Sequence, residues 1–154
     1  MVESHARITA DKESLMTDRS PRNLNWPLIL GLGGLALVRP ITRIVEDQLG
    51  LQASPWTAIG LTIGISVVWV AMVGLRDVTR PVLTLVATGL VYAVLSIGLS
   101  AVLSPLLTGE LQGPVAVPIA IVPVLATNAA WGALAGCLAL AVQSMLRPAR
   151  QVHA

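Results

Sequence analysis

The chain has 154 residues, of which 55% are hydrophobic and 12% are charged, and its formal net charge is +2. This apolar content is too high for an ordinary soluble domain and is typical of an integral membrane protein. The sequence lacks a basic stripe interleaved with aromatic residues, which excludes the usual nucleic-acid footprint. It also lacks metal-ligand spacings and common catalytic motifs, so we expect neither an enzyme nor a cofactor.

Residues 1–25 are polar and of mixed charge, and they show no apolar periodicity that could form a core. They predict a flexible tail. A cleaved signal peptide is the alternative, because a basic segment precedes an apolar one. No convincing small-residue cleavage site precedes Arg39, however, so an uncleaved signal anchor fits better.

Four apolar stretches follow the tail, and each is long enough to cross a hydrocarbon core of about 30 Å. They predict membrane spans at about residues 26–45, 56–75, 81–107 and 115–146, with a second short tail at 147–154. Prolines at 118 and 123 predict an irregular or kinked start to the fourth span.

Eight of the ten Lys and Arg residues lie in the two tails and in the loop at 76–80; Arg39 and Arg43 lie on the other side. The positive-inside rule therefore places both termini in the cytoplasm of a cell with an inner membrane. The predicted fold is an all-α, up-down-up-down bundle of four transmembrane helices in contact with lipid. The tight 76–80 loop predicts an antiparallel hairpin of the second and third helices.

Arg39 lies within the first predicted span. The thirteen residues from Trp26 to Val38 rise about 20 Å as a helix, which places Arg39 in the far third of the membrane. An arginine at the centre of a span costs about 2.5 to 3.5 kcal/mol and less away from it. Either its side chain reaches the outer phosphates, or it faces the bundle and forms a polar site with Asn128 or an anionic ligand.

The segment that follows Arg39 is amphipathic. Residues 40–49 place apolar side chains on one helical face and Arg43, Glu46 and Asp47 on the other, and Gly50 is a suitable C-terminal stop. This pattern predicts a short interfacial helix after the first span, in which Arg43 and Asp47 can pair.

The third predicted span carries a hydroxyl group at every fourth position. Such a row either lines a polar path through the bundle or allows close helix contact while bonding to its own carbonyl groups. The row consists of Thr84, Thr88, Tyr92, Ser96, Ser100 and Ser104. The candidate polar site consists of Arg39, Arg43, Tyr92, Ser96, Ser100 and Asn128.

Two G-x-x-x-G motifs, at Gly60 and Gly64 and at Gly132 and Gly136, are candidates for close helix packing. They support one hypothesis, a non-catalytic interaction or accessory subunit that binds a larger membrane protein or a second copy of itself. The alternative hypothesis is a small oligomeric transporter or channel in which Arg39 attracts an anion. A third possibility is that the amphipathic residues 40–49 sense or bind lipid headgroups.

Overall fold

The structure, a computed structural model, describes residues 24–52, 54–76 and 78–151, the last five of these by their backbone alone. The predicted flexible tail, residues 1–25, lies almost wholly outside the described residues, whereas residues 147–151 of the predicted C-terminal tail continue the last helix. Within those residues the fold is all-α. The helices are α1 (Trp26–Ala36), α2 (Val38–Gln48), α3 (Pro55–Leu75), α4 (Pro81–Thr108) and α5 (Ile121–Gln151), with a short 3-10 helix at Pro118–Ala120.

The predicted four-span bundle is confirmed. Four helical segments are long and apolar enough to cross a membrane: Trp26–Gln48, Pro55–Leu75, Pro81–Thr108 and Pro118–Leu146. The first span therefore comprises α1 and α2, the second α3 and the third α4. The fourth begins with the 3-10 helix, because Pro118 and Pro123 cannot donate backbone hydrogen bonds, and it continues as α5. The chain is a small four-span membrane protein.

The first span is interrupted at Leu37. There the N–H of Leu37 donates to the carbonyl of Gly34 at 3.0 Å, three residues back rather than four. Pro40 supplies the reason, because it has no N–H for the carbonyl of Ala36 and its ring crowds that carbonyl. Residues 40–48 of the segment predicted as a short interfacial helix lie in α2, which continues the first span to Gln48 and contains no buried residue.

The order of the helices in space differs from their order in the chain. The main helix pair is α4 with α5; α3 packs on α5, and α1 packs on α4. The second and third spans, α3 and α4, share few contacts. Their tight connection joins their ends without making them the packed hairpin that the sequence suggested, because α5 is the main partner of both.

Glycines allow α4 and α5 to touch backbone to backbone. A Cβ on Gly132 would overlap the carbonyl group of Leu85, and one on Gly136 would lie 2.5 Å from the Cα of Val82. The residue numbers fall along α4 as they rise along α5, so the two helices are antiparallel. The close approach expected of Gly132 and Gly136 thus occurs inside the chain.

Burial is confined to one half of the bundle. The buried residues lie in α1, near the end of α3, in the first half of α4 and in the second half of α5: Ile29, Leu32, Gly33, Ala36, Trp69, Val73, Gly74, Pro81, Thr84, Leu85, Thr88, Gly89, Ala93, Gly132, Ala135, Gly136, Ala139 and Gln143. We call this the packed half. Among the described residues, none of 38–48, 55–68, 94–108 or 118–131 is buried. We call these segments the open half.

Two polar side chains bond across the packed half. The indole N–H of Trp69 donates to the carbonyl of Leu32 at 3.1 Å and so joins α3 to α1. The amide nitrogen of Gln143 donates to the carbonyl groups of Val73 at 3.0 Å and Val78 at 3.2 Å, at the end of α3. The bond to Val73 satisfies a carbonyl group that the end of α3 leaves free, and the two side chains tie α3 to α1 and to α5.

Candidate functional site

A cavity of about 400 Å³ lies where the packed half meets the open half. All four spans line it. Ala36, Trp69 and Tyr92 belong to the packed segments, and the rest of the wall comes from the open half, including Arg39, Ser96 and Asn128. We call it the central cavity. It lies beside the interruption of the first span at Leu37 and between α3 and α4, which share few contacts.

The structure brings together four of the six residues of the candidate polar site. Arg39, Tyr92, Ser96 and Asn128 line the central cavity. The other two, Arg43 and Ser100, line a neighbouring cavity of about 270 Å³ that Ser96 also borders. The six residues therefore occupy two adjoining spaces rather than one.

Arg39 is an exposed residue on the wall of the central cavity. Within residues 24–52, 54–76 and 78–151 its guanidinium makes no hydrogen bond and no ion pair, and the hydroxyl of Tyr92 makes no hydrogen bond either. Both side chains also line a third cavity, of about 230 Å³, between α2 and α3. Hydrogen-bond donors therefore remain available on one side of the central cavity.

Three other hydroxyl groups around the cavity already donate within the protein. Thr62 donates to the carbonyl of Ala58 at 2.8 Å, Ser66 to that of Thr62 at 2.7 Å, and Ser96 to that of Ala93 at 3.0 Å. Such bonds to the preceding turn are common for hydroxyl side chains in apolar helices. These hydroxyl oxygens can still accept a hydrogen bond from water or a ligand. Their O–H groups are already used as donors, so they are not available to bind an anion.

Asn128 uses its amide within its own helix. Its Nδ2 donates to the carbonyl of Val124 at 2.8 Å, and its backbone carbonyl packs against Gly89. The side chain therefore does not bond across the bundle within the described residues. Its carboxamide oxygen remains an acceptor at the cavity wall.

The row of hydroxyl groups on α4 divides at the boundary between the two halves. Thr84 and Thr88 are buried in the packed half, where Thr88 donates to the carbonyl of Thr84 at 2.9 Å. From Tyr92 onward, the members of the row line cavities. A polar path through the whole bundle is therefore absent from the described structure, whereas a polar wall along the open half is present.

Several lining residues were not singled out from the sequence. Thr62, Ser66 and Thr127 line the central cavity, and Trp131 donates its indole N–H to the Oγ of Ser66 at 3.0 Å. Isolated hydroxyl groups in an apolar run are common in membrane helices, so their sequence signal is weak. Gln143 gave a stronger signal, because it is an amide at the end of an apolar run; the structure buries it, with 2% exposure.

Similarity to known proteins assigns no role to the central cavity. Comparisons with protein-family models, curated proteins and solved structures found no match. Among the described residues, no group of three or more His, Cys, Asp or Glu side chains could hold a metal ion. The chemistry of the central cavity therefore has to be inferred from Arg39, Tyr92 and the apolar wall around them.

Proposed function

We propose that this four-span membrane protein binds a small organic anion in the central cavity, and that the cavity is the substrate site of a small transporter. The observation that carries the proposal is an unpaired arginine, Arg39, in a cavity walled by all four spans. An arginine within a membrane span is costly, and such residues usually face a cavity and mark the path of a substrate or ion.

The shape of the cavity supports a small molecule as the ligand. Its volume of about 400 Å³ falls within the range of about 300 to 1,000 Å³ that small-molecule sites occupy. The wall combines apolar surface from Ile65, Val124 and Trp69 with the donors of Arg39 and Tyr92. An apolar wall with a few polar groups at fixed positions favours a ligand with an apolar body. Because the polar groups here include the cation Arg39, the ligand should also carry one anionic group.

The charge distribution supports a direction of access. Eight of the ten basic residues lie in the tails and the 76–80 loop, which in the chain adjoin the packed segments of α1, α3, α4 and α5. By the positive-inside rule the packed half then faces the cytoplasm, and the open half faces the opposite side. A ligand would reach Arg39 from the non-cytoplasmic side, while the packed half blocks its further passage.

The first hypothesis from the sequence, an interaction or accessory subunit, has less support on the described surface. Gly132 and Gly136 are used inside the chain, against α4. A Cβ added to Gly60 or Gly64 would have no atom of the described residues within 4 Å. Their face of α3 is therefore free to contact lipid or a partner. That motif alone identifies no partner.

A ligand panel tests the proposal on the wild-type protein. We expect small organic anions to raise the melting temperature of the detergent-purified chain, because Arg39 is the one charged residue among the described residues that line the site. Matched neutral and cationic compounds with the same apolar body should raise it less. The measurement is thermal unfolding followed by circular dichroism, and equal shifts for all three charge types would reject an anion site.

A further inference from the structure

A second space, here called the lateral cavity, separates α2 from the second half of α4. Its volume is about 270 Å³, and it borders α4 from Ser96 to Thr108. Twelve residue steps along a helix correspond to about 18 Å, so the cavity is long compared with its volume. It runs along the open half of the third span from the middle of the span to its end.

Two parallel rows of side chains form the α4 wall of the lateral cavity. Hydroxyl groups form one row, and leucines at the neighbouring positions form the other. Side chains four positions apart lie above one another on a helix, so the rows run side by side along the cavity. Leu99, Leu103 and Leu107 provide a continuous apolar strip, such as an acyl chain contacts.

The opposite wall, from α2, carries two opposite charges. Arg43 and Asp47 both line the lateral cavity, one helical turn apart. This spacing permits an ion pair, yet within the described residues neither side chain is paired. Both charges are therefore available to a ligand, one to an anionic group and one to a cationic group.

We propose that the lateral cavity binds a zwitterionic phospholipid taken from the bilayer. Its phosphate contacts Arg43, its ammonium group contacts Asp47, and the upper part of an acyl chain lies along the leucines of α4. Arginine suits a phosphate because its planar guanidinium donates two parallel hydrogen bonds. A purely anionic lipid could pair with Arg43, but the carboxylate of Asp47 would repel it.

Depth in the membrane favours a lipid over a dissolved zwitterion. Arg43 and Asp47 lie near the end of the Trp26–Gln48 span, which is where lipid headgroups are found, while Leu99 lies deeper along α4. The cavity thus places its charges at headgroup depth and its apolar strip at acyl-chain depth. This site does not depend on the proposed function, because Arg39 does not line it.

The test compares lipids that share the same acyl chains. Native mass spectrometry of the full chain in detergent would measure the apparent affinities of phosphatidylethanolamine and phosphatidylglycerol, with phosphoethanolamine as the water-soluble competitor. We expect the wild type to bind phosphatidylethanolamine about fivefold more tightly, the upper range for a single exposed charge contact. Asp47→Asn should remove this preference, and Arg43→Gln should weaken the binding of both lipids.

Two control variants separate this proposal from the others. Arg80→Gln changes a charge at the opposite end of the bundle, and Arg39→Gln removes the charge of the central cavity; neither should alter the preference between lipids. Equal wild-type affinities for the two lipids, or an unchanged preference in Asp47→Asn, would overturn the proposal. Displacement of the lipid by phosphoethanolamine at equal affinity would also overturn it, because the ligand would then be a dissolved zwitterion.

Discussion

The variant Gly132→Ala is expected to destabilise the protein by about 3 kcal/mol, at the upper end of the usual range for overpacking. The added Cβ would overlap the carbonyl group of Leu85 and lie 3.0 Å from the Cα of Val86. Both neighbours are backbone atoms, so no flexible side chain can move aside. Helices α4 and α5 would have to move apart, and their contact is the most extensive one in the bundle.

Gly64→Ala is the matched control for this prediction, because it makes the same change in the other G-x-x-x-G motif. A Cβ on Gly64 meets nothing within 4 Å. Alanine is the better helix former, so this variant should be unchanged or more stable by up to about 1 kcal/mol. Unfolding by titration with SDS, followed by circular dichroism, measures both. Equal midpoints for the two variants would show that α4 and α5 do not approach as closely as described.

Replacing Arg39 by glutamine is expected to weaken the binding of an organic anion tenfold to about a hundredfold, the usual value of a hydrogen bond to a charged group. The reason is that Arg39 is the only charged side chain among those that line the central cavity. The ligand-free variant should melt at the same or a higher temperature, because an unpaired charge has been removed from a membrane span. The measurement is the concentration of anion that gives half of the full thermal shift.

Two further variants show whether the effect belongs to the site. Arg39→Lys keeps the charge but loses the planar pair of donors, so its affinity should fall between those of the wild type and Arg39→Gln. Arg80→Gln removes a charge from the opposite end of the bundle and should leave anion binding unchanged. An equal loss in Arg39→Gln and Arg80→Gln would mean that overall charge, and not the central cavity, attracts the anion.

The sequence was sufficient to predict the four spans, because long apolar runs bounded by proline or charge leave few other possibilities in a membrane. It did not predict how the helices neighbour one another. The loops at 49–54, 76–80 and 109–117 are short, and short loops are compatible with several lateral orders. The interruption fell at Leu37 rather than at Pro40 itself, because a proline disturbs the carbonyl four residues before it.

The two glycine motifs show why the site was harder to predict than the spans. Gly60 and Gly132 begin identical patterns, yet only Gly132 meets another helix within the chain. The motif indicates that another helix can approach closely. Which helix does so depends on how the whole bundle packs. Arg39 could be identified from the sequence because a charged side chain within an apolar span is costly wherever the other helices lie. Ser66 and Thr127 line the same cavity only because of how their helices are rotated in the bundle.

Thiol accessibility tests the division into a packed and an open half most directly. Single cysteines would replace Ser66, Tyr92 and Asn128 around the central cavity, and Leu85 and Ala139 in the packed core, on a Cys137→Ala background because Cys137 is exposed. A membrane-impermeant thiol reagent modifies the thiolate, which requires water at the sulfur. We expect labelling of the three cavity positions from the non-cytoplasmic side, and labelling of the two core positions only after denaturation. If the cavity positions are as unreactive as the core positions, water does not reach the central cavity. That result would contradict both the division into two halves and the proposed anion site.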